Sequence, residues 1–348
     1  MIAVIGGAIA SVSVKMVPVK GGTEVMGTGL GQELYGQMDQ DMMNMMYGGM
    51  PQMPGMPGMP EQQVEKEQEE APEVPEYDDI IIENRGCGFN IARLLAEKGR
   101  EVAFVSVVGS DPLGLAVTEE LRACGADVSG VKKLDGTTPV QIETLNILGD
   151  IEGYKCNDSL MCRFTPQVIE AASDILDKAD IIVMDGSLPQ PTIEKVAELY
   201  GGRDDVKLFF DPGSRRGGAK AEKALGGFFG VLPGRMEAEA MTGKTILGQD
   251  QLMEAGAYLE QKGVDKIVIT MKGGGLYYKE GLDEGILAPE RVLSFASTAG
   301  AGDVVSAAVI AAEDDGKSLA SAAAEAMEAA AEFLEDRSDE RPIDMYNK

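Results

Sequence analysis

From residue 79 onward, short apolar runs alternate with amphipathic stretches, and this alternation constrains the fold more than any other feature of the chain. Asp79-Ile-Ile-Ile precedes the stretch Asn90 to Lys98, and Val102-Ala-Phe-Val-Ser-Val-Val precedes Gly114 to Ala123. Ile181-Ile-Val-Met-Asp, Val206-Lys-Leu-Phe-Phe-Asp and Ile267-Val-Ile-Thr continue the series. A strand apolar on both faces needs cover on both faces, which helices supply in parallel sheets. The pattern therefore predicts an α/β fold, a mostly parallel sheet flanked by helices on both faces. Each of the last three runs ends in a polar residue at its carboxyl end, the edge where open α/β sheets bind ligands. The opening Met1-Ile-Ala-Val-Ile-Gly-Gly lacks a basic leader segment and reads as a first buried strand, which makes a cytoplasmic protein the expectation.

Two regions depart from the alternation. Thr137 to Leu148 and parts of 12–35 carry the period-two pattern of strands with one wet face, so a small separate sheet is expected over about 12–35, 78–84 and 137–148. Residues 36–60 are dominated by Met, Gly, Pro and Gln, and 61–77 are acidic. Neither tract builds a periodic apolar face, so 36–77 reads as a disordered insertion in a domain made of 1–35 and 78–348.

The formal net charge of −27 opposes binding to nucleic acid or an anionic membrane, both of which need clustered Lys and Arg. Cys87, Cys124, Cys156 and Cys162 lack the spacing of a zinc site or a disulfide framework and are expected as free thiols. The chain has no His, so a general base must be Asp, Glu, Lys, Tyr or Cys.

The sharpest local feature is Ser297-Thr-Ala-Gly-Ala-Gly-Asp303, followed by the helical run Val304-Val-Ser-Ala-Ala-Val-Ile-Ala-Ala. Small residues let a loop approach a ligand, and the helix behind presents free N–H groups and a positive dipole end to an anion. An acidic residue there suits proton removal from an attacking hydroxyl in phosphoryl transfer. The plain alternative for Asp303 is a helix cap. A second cluster, Asn84-Arg-Gly-Cys-Gly-Phe-Asn-Ile-Ala92, puts glycines and Asn90 at the mouth of another helix, and by itself fits a glycine-rich turn equally well.

Together these clusters, with Gly109-Ser-Asp111-Pro-Leu-Gly114, Phe210-Asp211-Pro212, Leu232-Pro-Gly-Arg-Met-Glu-Ala-Glu-Ala-Met-Thr-Gly243 and Thr270-Met-Lys-Gly-Gly-Gly275 in order, resemble the PfkB/ribokinase family of carbohydrate kinases over nearly all of the chain outside 36–77. The resemblance implies a ribokinase-like fold with a small β-sheet lid, ATP and Mg²⁺ as cofactors, and a nucleoside or sugar hydroxyl as acceptor. It implies Asp303 as catalytic base, with Gly300, Ala301 and Gly302 forming an anion hole. It places Thr270, Lys272, Gly273, Gly275 and Thr298 at the nucleotide. Gly7, Ser11, Gly86, Asn90, Thr138 and Asn157 fall at the acceptor, and Glu237 near Mg²⁺ through water. A homodimer through the lid is a further implication. Thr137-Thr138, Gly149-Asp150, Asn157-Asp158, Phe164-Thr-Pro, Asp185-Gly-Ser-Leu-Pro and Glu237-Ala-Glu-Ala are most similar to the pseudouridine-directed branch. Sugar kinases of the ribokinase or 2-keto-3-deoxygluconate type, and a weakly catalytic nucleoside sensor, are the alternatives. The chain departs from the family pattern at Ser11, where a carboxylate is usual, and at Gly234, Arg85, Lys272 and Ser297.

Overall fold

The computed structural model describes residues 1–15, 80–145, 151–271, 275–289 and 299–336. The chain divides into two units, Met1–Met16 with Asp79–Lys348, and Val17–Asp78. All that follows concerns the first, and the expected insertion at 36–77 lies outside the described residues.

In chain order the strands are β1 (Ile2–Ile5), β2 (Ile9–Lys15), β3 (Ile80–Arg85), β4 (Val102–Gly109), β5 (Val131–Leu134), β6 (Val140–Leu145) and β7 (Ile151–Asn157). They continue with β8 (Ile181–Asp185), β9 (Lys207–Asp211), β10 (Gly230–Val231), β11 (Lys266–Met271), β12 (Gly275–Glu280) and β13 (Asp283–Leu287). A large sheet runs β13-β12-β11-β10-β9-β8-β1-β4-β5 and a small one β3-β2-β6-β7. In the large sheet every pair from β5 to β11 is parallel, whereas the β11–β12 and β12–β13 pairs are antiparallel. The sheet is mostly parallel, as the pattern of buried runs implied: β1, β4 and β8 are buried along their whole length.

Helices cover both faces. On one face α1 (Cys87–Glu97) buries Phe89, Ala92, Leu95 and Ala96, spaced three and four apart, against β1 and β4. It begins three residues before the expected Asn90, because Gly86 at φ 124° supplies the turn into it. The second helix, α2 (Pro112–Ala123), begins at Pro112 rather than Gly114, since the Asp111 carboxylate accepts from Gly114 N at 2.8 Å and Pro suits the first helical position. Beyond α3 (Pro166–Ala171) and α4 (Ser173–Leu176), the other face is covered by α5 (Gln190–Tyr200), α6 (Arg215–Lys220), α7 (Arg235–Thr242) and α8 (Gln249–Gln261). The chain returns to the α1 face with α9 (Ala301–Asp314) and α10 (Leu319–Asp336). Among the described residues no helix is long and apolar enough to cross a membrane.

At the far end of α9 from Asp303, Glu313 is 7% exposed and its carboxylate meets Lys207 Nζ and Lys266 Nζ, each at 2.6 Å. Those bonds hold its carboxyl below the usual range against the opposing effect of burial. Glu313→Gln leaves Lys266 buried without its main partner, and a loss of about 3 kcal/mol is expected. A carboxyl with a lowered folded pKa contributes stability above its unfolded pKa and loses it as pH falls through the folded one. The melting difference from wild type should therefore be full at pH 7 and shrink below about pH 4, which thermal unfolding at both pH values will measure.

Candidate active site

The strand order reverses beside β1: the chain moves from β1 to β4 and β5 on one side, then to β8, β9, β10 and β11 on the other. Such a reversal opens a crevice at the carboxyl edge of the sheet. Gly6 and Gly7 leave β1 there and Asp185 ends β8. Asp185, 1% exposed, accepts through Oδ2 from Gly7 N at 3.0 Å and Gly88 N at 2.7 Å, and through Oδ1 from Ser187 N at 2.8 Å and from the Ser187 hydroxyl. It thus ties the β1 exit, the start of α1 and the β8 exit together. A Cβ on Gly88 would stand 2.7 Å from Gly6 Cα, so only glycine allows this approach. The sequence reading placed Asp185 only as a polar strand end and missed its role.

Across this junction Asn90 Nδ2 on α1 donates to Asp303 Oδ2 in the first turn of α9 at 2.6 Å. Cys87 Sγ and one carboxylate oxygen each of Asp211 and Asp303 all lie within 4.8 Å of one another. Asp211, the last residue of β9, is 6% exposed and accepts from Ser306 Oγ at 2.5 Å and Gly213 N at 2.9 Å. Removal from water pushes the Asp303 carboxyl up to about 6, with the Asn90 and Cys87 bonds pulling the other way. Burial, and then the Asp303 charge, pushes Asp211 up to about 7. Burial raises Asp185 as well, and it raises the Cys87 thiol well above its ordinary value, helped by the neighbouring carboxylates. Cys87 is therefore a neutral hydrogen-bond donor here rather than a thiolate.

The N-terminus of α9 has no side-chain cap: Gly300 caps it with φ 88°, and a Cβ on Gly302 would meet nothing within 4 Å. No side chain among the described residues caps its first N–H groups beside Asp303, and such an end of a helix can receive an anion. A cavity of about 60 Å³ opens next to it, lined by Asn84 and Arg85 of β3, Asn90 of α1, and Gly300, Val304 and Phe333.

Farther along the edge, Gly234 forms an isolated parallel bridge with Thr270 and caps α7, whose first turn carries Glu237. The Glu237 carboxylate lies over the Gly234 Cα, and Thr270 Oγ1 stands 3.5 Å from where a Gly234 Cβ would be. Thr270 and Glu237 are thus brought together, and Glu237 is the partly buried carboxylate on this side that suits a water-bridged Mg²⁺. Gly275 opens β12 at φ 95°. Lys272, Gly273 and Thr298 lie outside the described residues.

On the small sheet, Ser11 pairs with Glu83 on β3 and Gln141 on β6. It is fully buried, and its Oγ finds no hydrogen-bond partner among the described residues. The same face carries Ser13 and Glu143, both buried, and Arg85, which reaches the cavity beside Gly300. The opposite face carries Ile80, Ile82 and Ile142, 57%, 70% and 45% exposed. At the two central strands the usual arrangement is inverted, polar inside and apolar outside. Thr138 is buried, but its hydroxyl donates to Asp111 Oδ1 at 2.6 Å and accepts from Gly109 N at 2.9 Å, so it is engaged with the α2 cap. Asn157 is exposed at the end of β7, where its Oδ1 accepts from Ser159 Oγ at 2.8 Å.

A family model described as pfkB family carbohydrate kinase matches residues 63–344. Pseudouridine kinase of Escherichia coli is 26% identical over 237 residues, 68% of this chain and 74% of that protein. Guanosine-inosine kinase of Exiguobacterium acetylicum is 28% identical over 259 residues, 74% and 85% of the two chains. Among solved structures, Arabidopsis thaliana ribokinase complexed with ribose and ATP superposes with a TM-score of 0.70 at 18% identity, covering 96% of this chain and 92% of that one. Ribokinase of Thermotoga maritima gives 0.70 at 16% identity with the same coverage. These superpositions establish the fold.

Proposed function

We propose that the chain, which belongs to the pfkB family of carbohydrate kinases, phosphorylates a hydroxyl group on a nucleoside, with the 5′-hydroxyl of pseudouridine as its first acceptor. Members of this family are phosphotransferases acting on hydroxyl groups. The observation that carries the reading is Asp303 held by Asn90 at the uncapped N-terminus of α9. ATP, when bound with Mg²⁺, supplies the phosphoryl group. Asp303 accepts the acceptor's hydroxyl proton as that hydroxyl's oxygen attacks, and the N–H groups of Gly300, Ala301 and Gly302, which no side chain caps among the described residues, steady negative charge on the transferring group. Glu237 and Thr270 would sit on the nucleotide and Mg²⁺ side, with Gly275 beside them.

The acceptor reading rests on the polar inner face of the small sheet. A fully buried hydroxyl without a partner is costly unless a ligand completes it, and among the described residues Ser11 is such a group. Gly86 closes on Gly7, where a Cβ on Gly86 would stand 2.5 Å from Gly7 O, and Asn90 lines the cavity that Arg85 of the same sheet reaches. Ser11, Ser13, Gln141 and Asn90 offer neutral donors and acceptors beside the paired Arg85 and Glu143, which suits a nucleoside, and two relatives are named for phosphorylating nucleosides. Ser11→Ala should raise the KM for the acceptor about tenfold, the worth of one hydrogen bond, while leaving the KM for ATP and the melting temperature unchanged or the latter slightly higher. Equal KM values for acceptor in variant and wild type would remove Ser11 from the pocket.

A coupled assay of ADP release over pseudouridine, guanosine, inosine, ribose, 2-keto-3-deoxygluconate and fructose 1-phosphate tests the function. Nucleosides should lead, and acceptors lacking the matching polar groups should fall by up to about 10⁴-fold. A preference for free ribose or for a phosphorylated sugar overturns the nucleoside reading. The exposed isoleucines of the small sheet further support a homodimer through this sheet, because a soluble chain rarely leaves such a row uncovered. Light scattering that gives a monomer mass would remove it.

A further inference from the structure

Asp211 is a buried carboxylate that the proposed reaction does not use, yet it stands within reach of the base. Its Oδ2 accepts from Ser306, one turn beyond Asp303 on α9, and its Oδ1 accepts from Gly213 N. Cys87 Sγ lies with them, its sulfur and one oxygen of each carboxylate all within 4.8 Å of one another. The charged and titratable groups facing the two carboxylates are Cys87 on α1, Asp185 at the end of β8 and Arg85 at the end of β3, with Lys220 of α6 facing Asp185. Arg85 is engaged by Glu83 and Glu143. Two ionised carboxylates this close, away from water and with no ion-paired cation among the described residues, repel each other strongly.

We propose that Asp211 is a positioning residue for the base, and that Asp211 and Asp303 hold a single proton between them. The proposal rests on Asp303 being the base. With the proton on Asp211, Asp303 is free, and the acceptor's hydroxyl proton passes to it during transfer and returns to water after product leaves. Because the proton partitions between the two, Asp303 is free in every molecule only once the pair has ionised twice.

The test is the pH dependence of kcat/KM for the wild type and for Asp211→Asn, which keeps the size and an acceptor for Gly213 N. The wild-type acid limb should rise in two steps, and the variant's in one step with its midpoint about one pH unit lower. A merely structural role would lower activity at every pH without moving the midpoint. An unmoved limb overturns the proposal, as does one shifted upward. Should Asp211→Asn fail to fold, carbon NMR of wild-type protein labelled at the aspartate carboxyls replaces it. Two carboxyls sharing the same pair of midpoints support the proposal, and independent single midpoints overturn it. Full activity in Asp303→Asn would instead remove the base, whereas an inactive Asp303→Asn beside an unmoved Asp211→Asn limb sinks the shared proton alone.

Discussion

Asp303→Asn is expected to lower kcat by about 10²–10⁴-fold, the usual worth of a general base, while ATP binding and the fold persist. Asn keeps an oxygen that can accept from Asn90 Nδ2, so the contact between α1 and α9 survives. The substitution should also stabilise the protein at alkaline pH. Burial raises the folded carboxyl to about 6, above its value in an unfolded chain. Such a group contributes stability below the unfolded pKa and loses it as pH rises through the folded one. The melting temperature of Asp303→Asn should therefore exceed that of wild type at pH 8, and the gap should close as the pH falls from 6 to 4. A variant that keeps a third of wild-type activity, or one that melts lower than wild type at pH 8, would show that Asp303 is not a strained catalytic carboxylate.

Asp185→Ala should have the largest effect on stability. It strips the acceptor from Gly7 N, Gly88 N and Ser187 N at a buried junction of three chain segments. Each orphaned buried donor costs about 1–3 kcal/mol, and relief of the buried carboxyl offsets only part of this. A net loss of about 4 kcal/mol corresponds to a melting temperature lower by about 10 °C. Activity should fall with it, since the same junction fixes the start of α1 and hence Cys87 and Asn90. Asp185→Asn should not rescue, because its amide would turn a donor toward groups that are themselves donors. A melting temperature for Asp185→Ala within about 2 °C of wild type would contradict this account.

The fold was legible because burial on two faces writes itself into strands as continuous apolar runs, and β4, β8 and β9 lie where Val102, Ile181 and Val206 announced them. Asp303 and Asn90 were legible through their glycine-rich surroundings and the family resemblance. What escaped was long-range adjacency. Asp185 and Asp211 are visible in the sequence as polar ends of apolar runs, but only the order β9-β8-β1 sets them side by side, and only the packing of α1 against α9 brings Cys87 beside Asp303 as well as Asp211. Asn90 and Asp303 stand 213 positions apart, beyond any local periodicity. Thr138 shows the converse: its place at a strand start was clear, whereas its commitment to Asp111 depends on how the α2 cap closes. The inverted small sheet was also hidden, because alternation tells that one face differs from the other without telling which face is covered.

Phosphorus NMR of a single reaction reads out phosphoryl transfer to a nucleoside hydroxyl. The full chain is incubated with ATP, Mg²⁺ and pseudouridine, and the spectrum is followed as ADP appears. The account predicts a phosphate monoester coupled to the 5′ methylene protons, formed in step with ADP and absent with Asp303→Asn. ADP accompanied only by inorganic phosphate, or no ADP with pseudouridine or any other nucleoside, would contradict it.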